Sequence, residues 1–178
     1  GYAPSDLASD GSYHVGALMD DALRVVDELG PTDHDVVIGH DWGAVAGLEQ
    51  KLKGFYTLAW QVPGVTERWL AQRGYAGLRG WGRQHPRIDD CVKDLSRPGR
   101  LTAGLNWYRA NLRRVLFRSW ENCAVPTLGV WSSGDHFLAE DQMRDSHQRM
   151  QAPWRYERIE RAGHWLPLEQ PERVADLA

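Results

Sequence analysis

The 178-residue chain holds 42% hydrophobic and 25% charged residues, close to the averages for globular proteins, which excludes a disordered or fibrous polymer and suits one domain with a real core. Its net charge of −3 comes from acidic and basic residues mixed along the chain, so there is no footprint for nucleic acid or an anionic membrane surface. No stretch approaches a membrane span and no secretory signal is visible, while Cys91 and Cys123 stand apart without metal-ligand spacing, which predicts reduced thiols in a cytoplasmic protein.

Residues 1–6 are dense in turn formers and predict a loop. From Tyr13 to Leu29 the apolar residues Val15, Leu18, Ala22, Val25, Val26 and Leu29 recur three or four apart, the spacing of an amphipathic helix, which Gly30 and Pro31 close. Asp35 to Ile38 predicts a buried strand that stops at Gly39-His40-Asp41-Trp42-Gly43. The two glycines remove Cβ atoms that would crowd a tight strand-to-helix turn. Asp41 would then stand exposed at a helix N-terminus, where N–H groups and the dipole favour an anion. The same pattern also fits an Asp that only caps the helix.

Val45, Ala46 and Gly47 pass directly into the polar run Leu48-Glu49-Gln50-Lys51-Leu52-Lys53, where a doubly wound core would place several helical turns and another strand. Residues 54–112 predict a helical, Trp- and Tyr-rich segment broken at Pro63-Gly64, Gly74, Gly77, Gly80, Gly82 and Pro98-Gly99. Nine Trp against three Phe is a composition that suits the walls of an apolar pocket. Arg114 to Ser119 reads either as an ordinary basic-apolar linker or as a joining artefact in the reading frame. An α/β pattern returns with a short strand at Pro126 to Trp131 that ends in Ser132-Ser133-Gly134-Asp135. A helix from about Ala139 to Met150, a strand from Trp154 to Ile159, a loop at Arg161-Ala162-Gly163-His164 and a last helix opened by Pro171 complete the chain. The fold class is α/β, an incomplete and mostly parallel sheet with flanking helices and a helical cap insertion. Only three strands are expected, against about five or six in an average sheet.

Asp135 and His164 each follow a strand, at the edge where ligands bind in open α/β sheets. Taken singly, Asp135 also fits a turn residue and His164 a structural histidine. Their order after Asp41 is the nucleophile, acid, histidine order of α/β-hydrolases.

These motifs strongly resemble those of the epoxide hydrolases of the α/β-hydrolase superfamily. Gly39-His40-Asp41-Trp42-Gly43 is similar to their nucleophile turn, Trp131-Ser132-Ser133-Gly134-Asp135 to their acid loop, and Gly163-His164-Trp165 to their histidine loop. Tyr56 ahead of Gln61-Val62-Pro63-Gly64, and Tyr108 in Leu105-Asn106-Trp107-Tyr108-Arg109, resemble the cap segments that carry the family's two ring-opening tyrosines. The two tyrosines also fit core aromatics of a helical lid. The resemblance implies a core at 1–47 and 113–178 around a cap at 48–112. It also implies that the family's His-Gly-x-Pro-type oxyanion segment precedes Gly1 and that residues are missing after the nucleophile turn.

The implied chemistry follows from the residue types. Asp41 is already an anion and would attack an sp³ carbon directly, forming an alkyl-enzyme ester. Tyr56 and Tyr108 would hydrogen-bond the epoxide oxygen and donate a proton as the alkoxide develops. His164, oriented by Asp135, would then activate water against the ester, with the backbone N–H of Trp42 facing the oxyanion. The partners implied are a small apolar epoxide and water, with neither nucleic acid nor membrane. No metal and no cofactor are expected, since His14, His34, His85 and His147 lack ligand spacing and no phosphate-binding glycine loop follows a strand. His40, His136 and Trp165 are expected to pack beside the catalytic positions. Two other readings are a haloalkane dehalogenase, in which Trp42 would hold the departing halide, and a non-catalytic remnant.

Overall fold

The computed structural model describes residues 5–30, 32, 37, 39, 53–117 and 121–177. The strand expected from Asp35 to Ile38, Val37 excepted, and the turn with Asp41 and Trp42 lie outside the described residues. The chain divides into two compact units, one of Gly1–Val37, Thr57–Arg83 and Arg87–Arg118, the other of Ile38–Tyr56, Gln84–Pro86 and Ser119–Ala178.

The first unit is helical. Helix α1 (Val15–Leu29) begins where His14 Nδ1 accepts from the Ala17 N–H at 3.2 Å and ends at Gly30, whose φ of 78° leaves the helix. Asn111, only 1% exposed, anchors its start. The Asn111 Oδ1 accepts from the Val15 N–H at 2.7 Å, and its Nδ2 donates to the carbonyls of Tyr13 at 2.8 Å and Trp107 at 2.7 Å. A buried amide satisfied on both sides in this way does not destabilise the interior.

A single turn, α2 (Tyr56–Ala59), leads to α3 (Val65–Trp81), α4 (Ile88–Leu95) and α5 (Arg100–Phe117). Helix α3 is two pieces, because Gln72 is extended and Arg73, Gly74 and Tyr75 are left-handed. Past this reversal the backbone of Gly77 lies so close to the first piece that a Cβ there would meet the Trp69 carbonyl oxygen at 2.3 Å. Of the glycines expected to break this region, Gly74 therefore serves the turn and Gly77 the close approach. Trp60, Leu70, Leu78, Leu105 and Leu112 are buried here. Helix α5 continues through Phe117, which corrects the linker expected from Arg114. Arg, Val, Leu and Phe without Gly or Pro carry a helix forward.

The second unit contains a parallel pair, β1 (Thr127–Ser132) and β2 (Trp154–Ile159), with Gly129 opposite Tyr156 and Ser132 opposite Ile159. Gly129 leaves room for the Trp154 ring, which a Cβ would meet at 2.1 Å. Between the strands lie α6 (Glu140–Arg144) and a 3₁₀ turn (Asp145–Arg149), in place of the one helix expected from Ala139 to Met150. Ser146 Oγ donates to the Gln142 carbonyl at 2.9 Å, a local bond that competes with the helical ladder where the tighter winding sets in. Two short helices follow, α7 (Leu166–Glu169) and α8 (Pro171–Leu177). Ile159, Ala162 and Leu166 form a buried cluster flanked by Val130, Val174 and Leu177. Among the described residues, no helix is long and apolar enough to cross a membrane.

Candidate active site

The parallel pairing of β1 and β2 brings the segments that leave their C-terminal ends side by side, and four hydrogen bonds stitch them. The Ser133 N–H donates to the Ile159 carbonyl at 2.9 Å and the Gly134 N–H to the Ala162 carbonyl at 2.9 Å. Ser132 Oγ donates to the Gly163 carbonyl at 2.6 Å, and Ser133 Oγ accepts from the Arg161 N–H at 3.0 Å. The approach is tight enough to require glycine, since a Cβ on Gly134 would lie 2.6 Å from the Ala162 carbonyl oxygen. From the far side, Glu169 Oε2 accepts from the Gly163 N–H at 2.6 Å.

This stitching sets the two expected triad members against each other. His164 Nδ1 lies 3.0 Å from Asp135 Oδ2, and both side chains are buried. The other carboxylate oxygen, Oδ1, accepts from the N–H groups of Phe137 at 2.7 Å and Leu138 at 2.9 Å. Burial pushes the Asp135 carboxyl up. The hydrogen bond and charge of His164, with the N–H groups of Leu138 and Phe137, outweigh it and hold the carboxyl below its ordinary range. An ionised Asp135 accepts the proton on Nδ1, so the imidazole lone pair sits on Nε2. That is the arrangement of a general base.

Aromatic rings surround the pair. The Phe137 centroid is 4.9 Å from that of His164, and Trp165 is 5.1 Å from His164 and 5.4 Å from Phe137. His85 meets Trp165 edge-on at 4.8 Å, and Tyr56 meets Phe137 edge-on at 6.1 Å. Of the expected site residues, Asp135, His164 and Tyr56 thus belong to this cluster in the second unit. Tyr108 belongs to the first unit, where its ring stands edge-on to Trp60 at 4.5 Å. Asp41 and Trp42 lie outside the described residues.

Three residues at this site were not among the expected site residues. Phe137 follows the acid by two positions, Glu169 grips the histidine loop, and Lys53 Nζ donates to the carbonyls of Asp135 at 3.3 Å and Leu138 at 3.1 Å. Only Phe137 had a usable signal, its place within the loop that carries the acid.

Comparison with known proteins bears on the same segments. Residues 1–177 match the model of the alpha/beta hydrolase family. The chain belongs to the alpha/beta hydrolase family. It is 27% identical over 207 residues to the AB hydrolase superfamily protein YfhM of Bacillus subtilis, covering 93% of this chain and 71% of that protein. It is 29% identical over 217 residues to Epoxide hydrolase 3 of Xenopus tropicalis, covering 97% of this chain but 58% of that protein. The matched stretch of 217 residues exceeds the 178 of this chain, so the relative carries residues inside the match that this hydrolase lacks. A solved epoxide hydrolase of Bacillus megaterium, in complex with an inhibitor, shares the fold with a TM-score of 0.74 at 19% identity, covering 98% of this chain and 77% of that one. The chain is thus an alpha/beta hydrolase similar to epoxide hydrolases, and β1 and β2 with their helices are part of such a core.

Proposed function

We propose that this hydrolase converts an epoxide to a vicinal diol in two steps, with 48–112 as its cap and 1–47 and 113–178 as its core. A carboxylate oxygen of Asp41 attacks a ring carbon, the C–O bond breaks, and the alkoxide takes a proton from Tyr56 or Tyr108. His164 Nε2 then removes a proton from water, and the resulting hydroxide adds to the ester carbonyl of Asp41. The backbone N–H of Trp42 faces the oxyanion; as the tetrahedral intermediate collapses, its hydroxyl proton passes to the departing alkoxide, the diol leaves with the Asp41 carboxylate re-formed, and the proton on His164 returns to the tyrosinate.

The observation that carries this reading is the buried Asp135–His164 pair, whose Nδ1–Oδ2 distance of 3.0 Å leaves the basic nitrogen at Nε2. Epoxide hydrolases among the relatives support this substrate class. The aromatic cluster of Phe137, Trp165 and Tyr56 suits an apolar, aryl-bearing epoxide. The two cysteines are thiols, in keeping with a reducing compartment such as the cytoplasm.

The decisive experiment incubates the purified chain with styrene oxide beside an Asp41→Ala control. Diol formed by the wild type and not by the control supports the reading. Equal yields refute it and leave a non-catalytic member of the family. Halide released from a haloalkane, with no diol from the epoxide, would instead favour dehalogenase chemistry.

A further inference from the structure

Lys53 lies between the Asp41 turn and Tyr56 in the chain, in the polar run to which no function attaches. Its ammonium donates to the carbonyl of Asp135 at 3.3 Å and to that of Leu138 at 3.1 Å, the first and last residues of the loop that presents the acid. Inside that loop the Asp135 carboxylate takes up the N–H groups of Phe137 and Leu138, and Trp131 Nε1 donates to the Leu138 carbonyl at 3.2 Å. The N–H side of the loop is thus held by the acid itself, and the carbonyl side is drawn together by one cation. Two carbonyls converging on one point need a donor with several divergent N–H bonds, which an ammonium provides. Three residues further on, Tyr56 touches Phe137, and Phe137 packs on His164. Residues 53–56 therefore bear on the dyad through both the loop backbone and an aromatic contact.

We infer that Lys53 is a positioning residue of the second chemical step: its ammonium clamps the 135–138 loop so that the Asp135 carboxylate keeps the His164 imidazole aimed at the hydrolytic water. The inference rests on the two-step reading above. It expects no part for Lys53 in ester formation, for which Asp41 needs no base.

The test compares wild type, Lys53→Met and Lys53→Arg by single-turnover mass spectrometry with styrene oxide, following the alkyl-enzyme ester as an added mass. Loss of an outer hydrogen-bond partner of this kind slows a step by about tenfold to a hundredfold. Lys53→Met should form the ester at the wild-type rate, hydrolyse it slower by about that factor and accumulate the adduct. Lys53→Arg, which keeps divergent donors, should recover most of the rate. Hydrolysis at the wild-type rate in Lys53→Met, or equal slowing of both steps with no recovery in Lys53→Arg, overturns the inference. Should Lys53→Met not fold, Lys53→Gln keeps a donor for one carbonyl and should slow hydrolysis to an intermediate degree; an unchanged rate there is equally fatal. A second readout needs no turnover. The downfield proton NMR signal of His164 Nδ1–H, assigned by its loss in His164→Gln, should broaden or shift in Lys53→Met. An unchanged signal refutes the role of Lys53, whereas absence of diol from the wild type refutes the hydrolase reading alone.

Discussion

Replacing Glu67 with Gln removes one charge from a pair that ties separate segments of the first unit together. Glu67 Oε1 lies 2.7 Å from Arg109 Nη1, while Oε2 accepts from Arg109 Nη2 at 3.0 Å and from the Gly64 N–H at 2.7 Å. Arg109 Nε also donates to the Trp60 carbonyl at 2.9 Å, next to the ring on which Tyr108 stands. The Arg109 and Glu67 side chains are 13% and 19% exposed. The Arg109 hydrogen bond chiefly lowers the Glu67 carboxyl; burial opposes it, and the N–H groups of Glu67 and Gly64 and the Arg109 charge add to it, bringing it from 4.5 to about 2. At 1.36 kcal/mol per tenfold, that difference is about 3 kcal/mol, and screening by water at the rim reduces it to about 1–2 kcal/mol. Because the folded-state value is depressed, the stabilisation is fully present above pH 4.5 and is lost as pH falls through about 2. Glu67→Gln keeps an oxygen for the Gly64 N–H and loses only the charge. Thermal unfolding followed by circular dichroism should place its midpoint about 2–8 °C below wild type at pH 7, with the two curves converging near pH 2. A gap that persists unchanged at pH 2, or no gap at pH 7, would refute the assignment of the stabilisation to the ionised pair.

The site offers further tests. Gly134→Ala forces a methyl against the Ala162 carbonyl oxygen at 2.6 Å; crowding against fixed backbone should cost about 1–3 kcal/mol, read from the midpoint of urea unfolding, and an unchanged midpoint contradicts the close approach of the two loops. Asp135→Asn turns an acceptor toward His164 into an amide that holds the wrong tautomer, so ester hydrolysis should fall by about 10⁴ while ester formation continues; single-turnover mass spectrometry separates the two rates, and equal loss of both refutes the assignment. The Asp135 carboxyl is held below its ordinary 3.8, so the stabilisation it gives is present above that value and is lost as pH falls through the folded-state value. Carbon-13 NMR of the carboxyl should place its titration midpoint below 3.8; a midpoint at or above 3.8 denies the bond to His164.

Local signals made the second unit readable. The strands at Thr127–Ser132 and Trp154–Ile159 lie where apolar runs meet turn residues, and Pro171 opens the last helix, since each depends on a few neighbouring residues. Asp135 and His164 were legible for the same reason, since each lies in the loop that follows a strand. The helix expected to Met150 was too long because periodicity does not register a side chain that bonds back to the ladder, as Ser146 does. In the first unit, helix α1 has the expected apolar spacing, yet none of its residues is buried. A periodic pattern marks a face and says nothing of what covers it. Asn111 and Lys53 were illegible in a stronger sense. Their partners are fixed only by tertiary placement, as with Lys53 and Asp135, which are 82 positions apart.

Among the described residues, the hydrogen bonds around the Asp135–His164 pair lie mostly within 132–169. The carbonyls of Ile159, Ala162 and Gly163 and the N–H of Arg161 take the acid-loop contacts, Glu169 takes the Gly163 N–H, and Asp135 takes the imidazole. Among the described residues, Lys53 contributes from upstream. On the two-step reading proposed above, the second step would be organised by a contiguous strand–helix–strand segment, whereas the first would depend on Asp41, Tyr56 and Tyr108. The two steps consequently report on different parts of the chain. A protein that forms the ester and cannot hydrolyse it has a competent Asp41 and a displaced dyad. One that never forms the ester fails before His164 is used, however well the dyad is built.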